Sequence, residues 1–147
     1  MKTFNRISLF VISSLLFAAC TPKATPIPPG SPGNNPYAPQ AGDGSLMRSD
    51  IRVAISSLSL AKSQPPQVTV YFGYFQPTPC YQLRVEVSHP DSQNRIDLNA
   101  YAVAEKDKPC TLMALATPLQ ASLDLGSFSQ GHYSVWLNGS KVDEFDL

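Results

Sequence analysis

The sequence has no excess of charge of either sign, since eleven Lys and Arg balance eleven Asp and Glu over 147 residues. From Leu46 onward, eight basic and ten acidic residues are scattered with mixed signs, a net of about −2. A nucleic-acid binder normally carries a basic patch or stripe, so we predict no nucleic-acid partner. The longest apolar stretch, residues 7–17, is shorter than the roughly twenty residues that a membrane-spanning helix needs.

Catalytic and cofactor motifs are also missing. The chain has no Gly-x-Ser-x-Gly elbow, no His-Glu-x-x-His, no P-loop and no dinucleotide fingerprint. Its two histidines, His89 and His132, could act as general bases, but a histidine beside a turn is more often solvated or structural. They are not at metal-ligand spacing. We predict no enzyme activity, no catalytic residue, no cofactor and no metal site.

One polar loop carries oxygen atoms that calcium could use. Its side chains are Asp91, Asn94, Asp97 and Asn99. The loop lacks the spacing and the central glycine of an EF-hand, so the pattern favours a polar hairpin turn.

The N-terminus has the three parts of an export signal: basic residues, the apolar stretch 7–17, and two alanines before Cys20. A cysteine at this place resembles the lipobox of bacterial lipoproteins, although Phe17 stands where that family usually has Leu. The resemblance implies that residues 1–19 are a signal peptide and that acylated Cys20 anchors the chain on the extracytoplasmic side of a membrane. Thr21 favours the outer membrane in a double-membrane bacterium. The alternative is an ordinary secretory signal with an incidental cysteine.

Residues 21–40 hold seven of the fourteen prolines and few large apolar side chains. Such a segment buries too little surface to offset its ordering entropy, so we predict a disordered tether over residues 20–45. In polyproline II form it would hold a domain up to roughly 60 Å from the membrane. A ligand for an SH3-like domain is the alternative.

The remaining segment, 46–147, is predicted to form one all-β domain, because apolar residues recur at every second position between turn residues. The spacing predicts an immunoglobulin-like or fibronectin-like antiparallel β-sandwich of about seven strands. A bulge at Ser56-Ser57 would re-phase the first strand. The strands are "IRVAISSLSL", "QVTVYFGYF", "YQLRVEV", "NRIDLNAYAVA", "LQASLDL", "HYSVWL" and "KVDEFDL".

Two local features support this fold. Asn138-Gly139 lies between the last two strands and readily takes the positive φ angles of a type I′ hairpin turn. Tyr133 opens the penultimate strand, which resembles the tyrosine corner of immunoglobulin-like sandwiches, where the hydroxyl bonds to an upstream backbone group. An ordinary half-buried strand tyrosine is the alternative.

Cys80 and Cys110 remain as a pair once Cys20 is assigned to the anchor. In an exported protein such a pair predicts a disulfide, here between the edge of the third strand and the loop after the fourth. A redox or metal site is the alternative, but no Cys-x-x-Cys is present.

From about residue 66 to the end, the chain resembles small all-β lipoprotein domains of bacterial surfaces. The resemblance implies this fold and location and no known activity. The matching residues are Pro77, Pro79, Cys80, Cys110, Gly131, Tyr133, Val135, Leu137, Asn138 and Gly139.

Side-chain alternation predicts a binding face. If Tyr133 and Val135 face the core, Ser134 and Trp136 face outward. In an immunoglobulin-like order the third strand lies beside them and adds Arg84 and Glu86. Tryptophan and arginine are enriched at binding hot spots. The alternatives are a local stack of Arg84 on Trp136, or a bulge that turns the indole inward.

These observations predict a membrane-anchored cell-envelope lipoprotein that acts as a non-catalytic binding or assembly module. Its partners would be the membrane, through the N-terminal lipid, and an envelope protein or surface ligand. One alternative is an inhibitor or chaperone that presents the apolar loop 111–117, with Met113 and Leu115. A less favoured alternative is a hydrolase that uses His89 or His132.

Overall fold

The computed structural model describes residues 33–110 and 117–147, which form two packed β-sheets. The predicted all-β sandwich is confirmed, and all seven predicted strands are present. One further strand, β1, precedes them. After a short 3-10 turn at Asp43–Ser45, the strands are β1 Met47–Asp50, β2 Arg52–Ala61, β3 Gln67–Phe75, β4 Gln82–Val87, β5 Arg95–Ala104, β6 Leu119–Gly126, β7 His132–Leu137 and β8 Ser140–Asp146. Within the described residues, no helix is long and apolar enough to cross a membrane.

The two sheets have three and five strands. The three-stranded sheet has the order β2-β3-β6. In the five-stranded sheet, β4 pairs with one edge of β5, while β7 and β1 share its other edge end to end. Strand β8 then pairs with β7. All strand pairs are antiparallel except β5 and β7, which are parallel.

This order corrects two sequence-based expectations. Strand β4 does not lie beside β7, because β5 separates them. The bulge in β2 lies between Val53 and Ile55 rather than at Ser56-Ser57, both of which pair regularly with β3. The bulge nevertheless has the predicted effect, because it re-phases the strand.

Period-two alternation places the large apolar side chains between the sheets. Each such side chain contributes roughly 1.5 to 3 kcal/mol when it leaves water. The most completely buried members come from five strands, β3 to β7, so the core spans both sheets. They are Val68, Val70, Phe72, Val85, Ile96, Leu98, Leu123, Leu125 and Val135.

The predicted hairpin between β7 and β8 is confirmed. Asn138 and Gly139 have φ angles of 48° and 80°, which a type I′ turn requires at both central positions. The turn joins the two strands with the register that places Leu137 opposite Ser140.

Residues 33–46, here called the N-terminal strap, lie against the five-stranded sheet. The Asn35 side chain donates to the Val85 carbonyl (2.9 Å), and the Val85 N–H donates to the Tyr37 carbonyl (2.8 Å). The strap therefore covers the outer edge of β4. The predicted domain starts at residue 46, whereas Asn35, Tyr37 and Asp43 before that position already contact the sandwich.

Candidate functional site

Trp136 lies half-buried on the outer face of the five-stranded sheet. Its neighbours Val135 and Leu137 are buried, so the predicted phase of this strand is confirmed. The Arg95 guanidinium lies 4.1 Å from the indole centroid, a cation-π distance. Asp97 holds that guanidinium through hydrogen bonds of 2.6 and 2.9 Å, and these raise the pKa of Arg95.

Ser134 completes this arrangement, since its Oγ accepts a hydrogen bond from the indole Nε1 of Trp136 (3.3 Å). Two of the four predicted face residues, Ser134 and Trp136, are therefore in direct contact. The parallel pairing of β5 with β7 places Arg95 opposite Ser134 and Asp97 opposite Trp136. Arg95 was not predicted at this face, because the expected strand order placed a different strand beside β7.

Arg84 is not exposed beside Trp136, so that part of the predicted face was wrong. It is only 5% exposed and lies across β5 from β7. Its Nε and Nη2 donate to the carboxylate of Asp43 at 2.8 and 3.1 Å, and Nη1 donates to the Leu83 carbonyl. The hydrogen bond from Arg84 lowers the pKa of Asp43. The strap thus closes over this arginine and fastens to the sheet through a buried ion pair.

Glu86 belongs to a second group on the same outer face. It accepts hydrogen bonds from the Asn99 side chain (2.8 Å) and the Tyr101 hydroxyl (3.0 Å). The Arg48 guanidinium lies 3.5 Å from the Tyr101 ring centroid and covers it. Burial and the bond to Glu86 raise the pKa of Tyr101. This group is internally satisfied, so Glu86 is a weaker candidate for binding than Trp136.

The two cysteines form the predicted disulfide, which is confirmed. It joins the segment before β4 to the segment after β5. Thr78 Oγ1 lies 3.1 Å from Cys110 Sγ. Beside the bridge is an open cavity of about 640 Å³, walled in part by Asp43, Met47, Tyr81 and Lys108. The sequence analysis missed this cavity because the strap forms one of its walls.

Comparison with known proteins gives one match. A family model described as the ORF11 β-sandwich domain matches residues 68–147. The chain belongs to the ORF11 β-sandwich domain family. The matched range runs from β3 to β8 and includes the disulfide and Trp136. No curated protein and no solved structure matches the chain.

In this ORF11 β-sandwich domain, Tyr133 is buried as the corner prediction requires. Its hydroxyl, however, lies 3.1 Å from the Ser129 Oγ, so it bonds to a side chain rather than to the predicted backbone group. The ring stacks on Phe145 at 5.3 Å and contacts Phe128 at 5.2 Å. Tyr133 thus anchors an aromatic cluster at the start of β7.

The oxygen-rich loop of the ORF11 domain is a hairpin turn between β4 and β5. Asp91 Oδ1 accepts hydrogen bonds from the backbone N–H groups of Gln93 and Arg95 at 2.8 and 2.9 Å. Those bonds lower the pKa of Asp91. Asn94 takes a positive φ of 56° in the same turn, and His89 before it is exposed. Within residues 33–110 and 117–147, no three His, Cys, Asp or Glu side chains are grouped to hold a metal.

His132 is exposed at the start of β7, between two carboxylates of β8. Its Nδ1 lies 2.7 Å from Asp146 Oδ1, and its Nε2 lies 3.3 Å from Glu144 Oε2. These hydrogen bonds raise the pKa of His132, and the bond to Asp146 has the larger effect. Lys141 Nζ also donates to Glu144 (2.7 Å) and lowers the pKa of that carboxyl. Since both ring nitrogens face carboxylates, the geometry stabilises the imidazolium.

We expect the folded domain to titrate His132 above pH 6.5, the usual pKa of a histidine. A raised pKa means that this contribution to stability is fully present below pH 6.5 and is lost as the pH rises through the folded value. Imidazole NMR shifts across the pH range measure it directly. Asp146→Asn should lower the pKa, whereas Asp143→Asn, on the same strand, should change it much less. If the pKa of His132 were equal in the natural protein and both variants, the hydrogen bond between His132 and Asp146 would be contradicted.

Several predicted residues lie outside the described residues. They are the signal peptide 1–19, Cys20, the first part of the tether up to residue 32, and Met113 and Leu115 of the loop 111–117.

Proposed function

We propose that this member of the ORF11 β-sandwich family is a lipid-anchored lipoprotein of the bacterial cell envelope, whose sandwich acts as a non-catalytic binding module. Support for the anchor comes from the lipobox-like sequence that ends at Cys20. In a double-membrane organism the proposed location is the outer membrane. The proposed partner is an envelope protein or a surface ligand.

The observation that carries the binding role is the half-buried Trp136–Arg95 stack on the outer face of the five-stranded sheet. Tryptophan supplies a large contact area with little loss of conformational entropy, and both tryptophan and arginine are enriched among binding hot spots. Arg95 is held in place by Asp97, so much of its ordering cost is already met before a partner arrives.

The side chains around the stack indicate which partner would fit. Glu144 and Asp146 on the neighbouring strand β8 form a rim of carboxylates, which pair with Lys141 and His132. A partner that presents a flat apolar group to the indole and hydrogen-bond donors to this rim would complement the surface.

The geometry of His132 supports a role without catalysis. A general base needs an unprotonated nitrogen directed at a substrate, whereas both nitrogens of His132 face carboxylates that favour its charged form. The hydrolase alternative requires loss of an activity in His89→Ala or His132→Ala. An activity that survives both changes would reject that alternative.

Photo-crosslinking in cells tests the binding face. A probe at Ser134 or Lys141 of the full-length lipoprotein should give a discrete adduct, because both positions border Trp136. The matched control is Ser122, an exposed serine on the outer face of the other sheet. The adduct should fall at least about tenfold when Trp136→Ala is added, as expected for a hot-spot residue.

Two outcomes would contradict this proposal. One is an adduct of equal strength from Ser122, which indicates contact without a specific face. The other is an adduct that survives Trp136→Ala while thermal unfolding shows an intact fold. The second outcome would assign the binding surface elsewhere.

A further inference from the structure

The outer strands of the sandwich differ in how their edges are protected. The strap covers β4 through Asn35 and Tyr37. Strand β8 carries three acidic side chains among its seven residues, which discourage pairing with another strand. Strand β6 lies close to Gly33 of the strap at Asp124. Among the described residues, β2 is the long edge strand without such protection.

Strand β2 is also uncharged over its exposed length. Between Arg52 at its start and Lys62 beyond its end, residues 53–61 include no charged side chain. The edge of a strand presents unpaired N–H and C=O groups at every second residue. A nine-residue edge with neutral side chains, residues 53–61, is therefore a template on which a further strand can add.

Exposed apolar side chains concentrate at the same place. Of the four large hydrophobic side chains that are exposed in the described residues, three lie on β2 or its partner β3: Ile55 (64%), Leu60 (39%) and Tyr71 (47%). Ile55 and Tyr71 lie on the outer face of this sheet, whereas Leu60 pairs with buried Val68 and lies on the other face near the end of β2. Neighbouring exposed apolar side chains mark an interaction surface. A groove of about 450 Å³ between the first half of β2 and the β7–β8 hairpin leaves space along this edge.

We propose that β2 pairs antiparallel with β2 of a second copy of this chain. The two three-stranded sheets would then form one continuous sheet across a two-fold axis. This inference is independent of the binding role proposed for Trp136, which lies on the other sheet.

A second copy fits because β2 is self-complementary. Ile55, Ser57 and Ser59 point to the outer face, since they pair with Gly73, Tyr71 and Thr69 of β3. If the two strands pair antiparallel about Ser57 or Leu58, the outer faces of both copies lie on the same side of the joined sheet. Each neutral side chain then has a neutral neighbour on the other strand. The same arrangement of two β8 strands would bring carboxylates together, which destabilises a strand pair.

The test uses charge at the proposed two-fold axis. The full chain in detergent should have twice the protomer mass by light scattering. Ser57→Lys and Ser57→Glu should each be monomeric, because like charges meet near the axis. An equal mixture of the two variants should recover the doubled mass as a heterodimer. Ser122→Lys, on the same outer face but separated from β2 by β3, should leave the dimer intact.

Each contrary result overturns the proposal. A full chain that is monomeric at micromolar concentration rejects it, as does a dimer that persists in Ser57→Lys. Thermal unfolding of Ser57→Lys and Ser122→Lys separates lost pairing from lost folding. If a probe on β2 of a monomeric chain captures a different protein, the edge binds a foreign strand instead. Trp136→Ala should keep the dimer, so failure of this inference and failure of the proposed function are distinguishable.

Discussion

Removal of the Cys80–Cys110 disulfide is expected to lower the free energy of unfolding by about 3.5 to 4 kcal/mol. The two cysteines are 30 residues apart, and the closed loop contains β4 and the central strand β5. Without the bridge the unfolded chain gains the entropy of that open loop. Domains of this size are stable by only about 5 to 15 kcal/mol, so the loss is a large share of the total.

The suitable variant is the double substitution Cys80→Ser with Cys110→Ser, because a single substitution leaves a reactive thiol. Cys80 is exposed and Cys110 is half-buried, so serine at these positions removes little packing. Urea unfolding should show the loss, and a reductant should destabilise the natural protein but not the double variant. A loss below about 1 kcal/mol would mean that the reduced unfolded chain retains structure around the loop.

The strands could be predicted from the sequence because each depends on a local pattern. In β7, alternation placed Tyr133, Val135 and Leu137 inward and Trp136 outward, and the burial of these residues agrees. The Asn138-Gly139 turn has equally local causes, since few residues tolerate a positive φ. Such patterns involve neighbours along the chain and need no knowledge of the fold.

The neighbours of a strand could not be predicted in the same way. Nothing in the sequence of β7 indicates that β5 runs parallel to it, so Arg84 was expected near Trp136, whereas the arginine beside the indole is Arg95. The error follows from the assumed strand order, because alternation fixes the face of a side chain and leaves open which strand lies beside it.

The strap illustrates a second limit of prediction from the sequence, which concerns contacts between distant residues. Residues 33–46 have the composition of a tether, yet Asp43 makes a buried ion pair with Arg84, 41 residues further along the chain. Composition averages over a segment, whereas one carboxylate in the right place is enough to fasten it. Strand β1 follows directly from this attachment, because the fastened strap leads the chain to the open edge of β5.

Asn138 is expected to contribute more than the hairpin turn for which its sequence context is typical. Its Oδ1 accepts the Ala100 N–H (2.7 Å) and its Nδ2 donates to the Ala100 carbonyl (2.8 Å). Ala100 lies on β5 between the residues that pair with β7 and those that pair with β1. The Asn138 side chain therefore supplies the hydrogen-bond partners of the Ala100 backbone, which neither β7 nor β1 reaches.

Two substitutions separate these roles. Asn138→Gly keeps the positive φ but removes both hydrogen bonds, and we expect a loss of about 2 kcal/mol because the Ala100 groups lose their partners. Asn138→Ala also strains the backbone at φ 48°, which should add about 1 kcal/mol. Urea unfolding measures both losses, and hydrogen exchange at the Ala100 amide reports the bridge directly.

The order of stability is the decisive result. If Asn138→Gly is as stable as the natural protein and the Ala100 amide stays protected, Asn138 serves the turn alone. If both variants lose stability in the expected order, one side chain shapes the hairpin and also joins β1 and β7 into a single edge along β5. That second role depends on a long-range contact with Ala100, so the Asn-Gly pattern cannot reveal it.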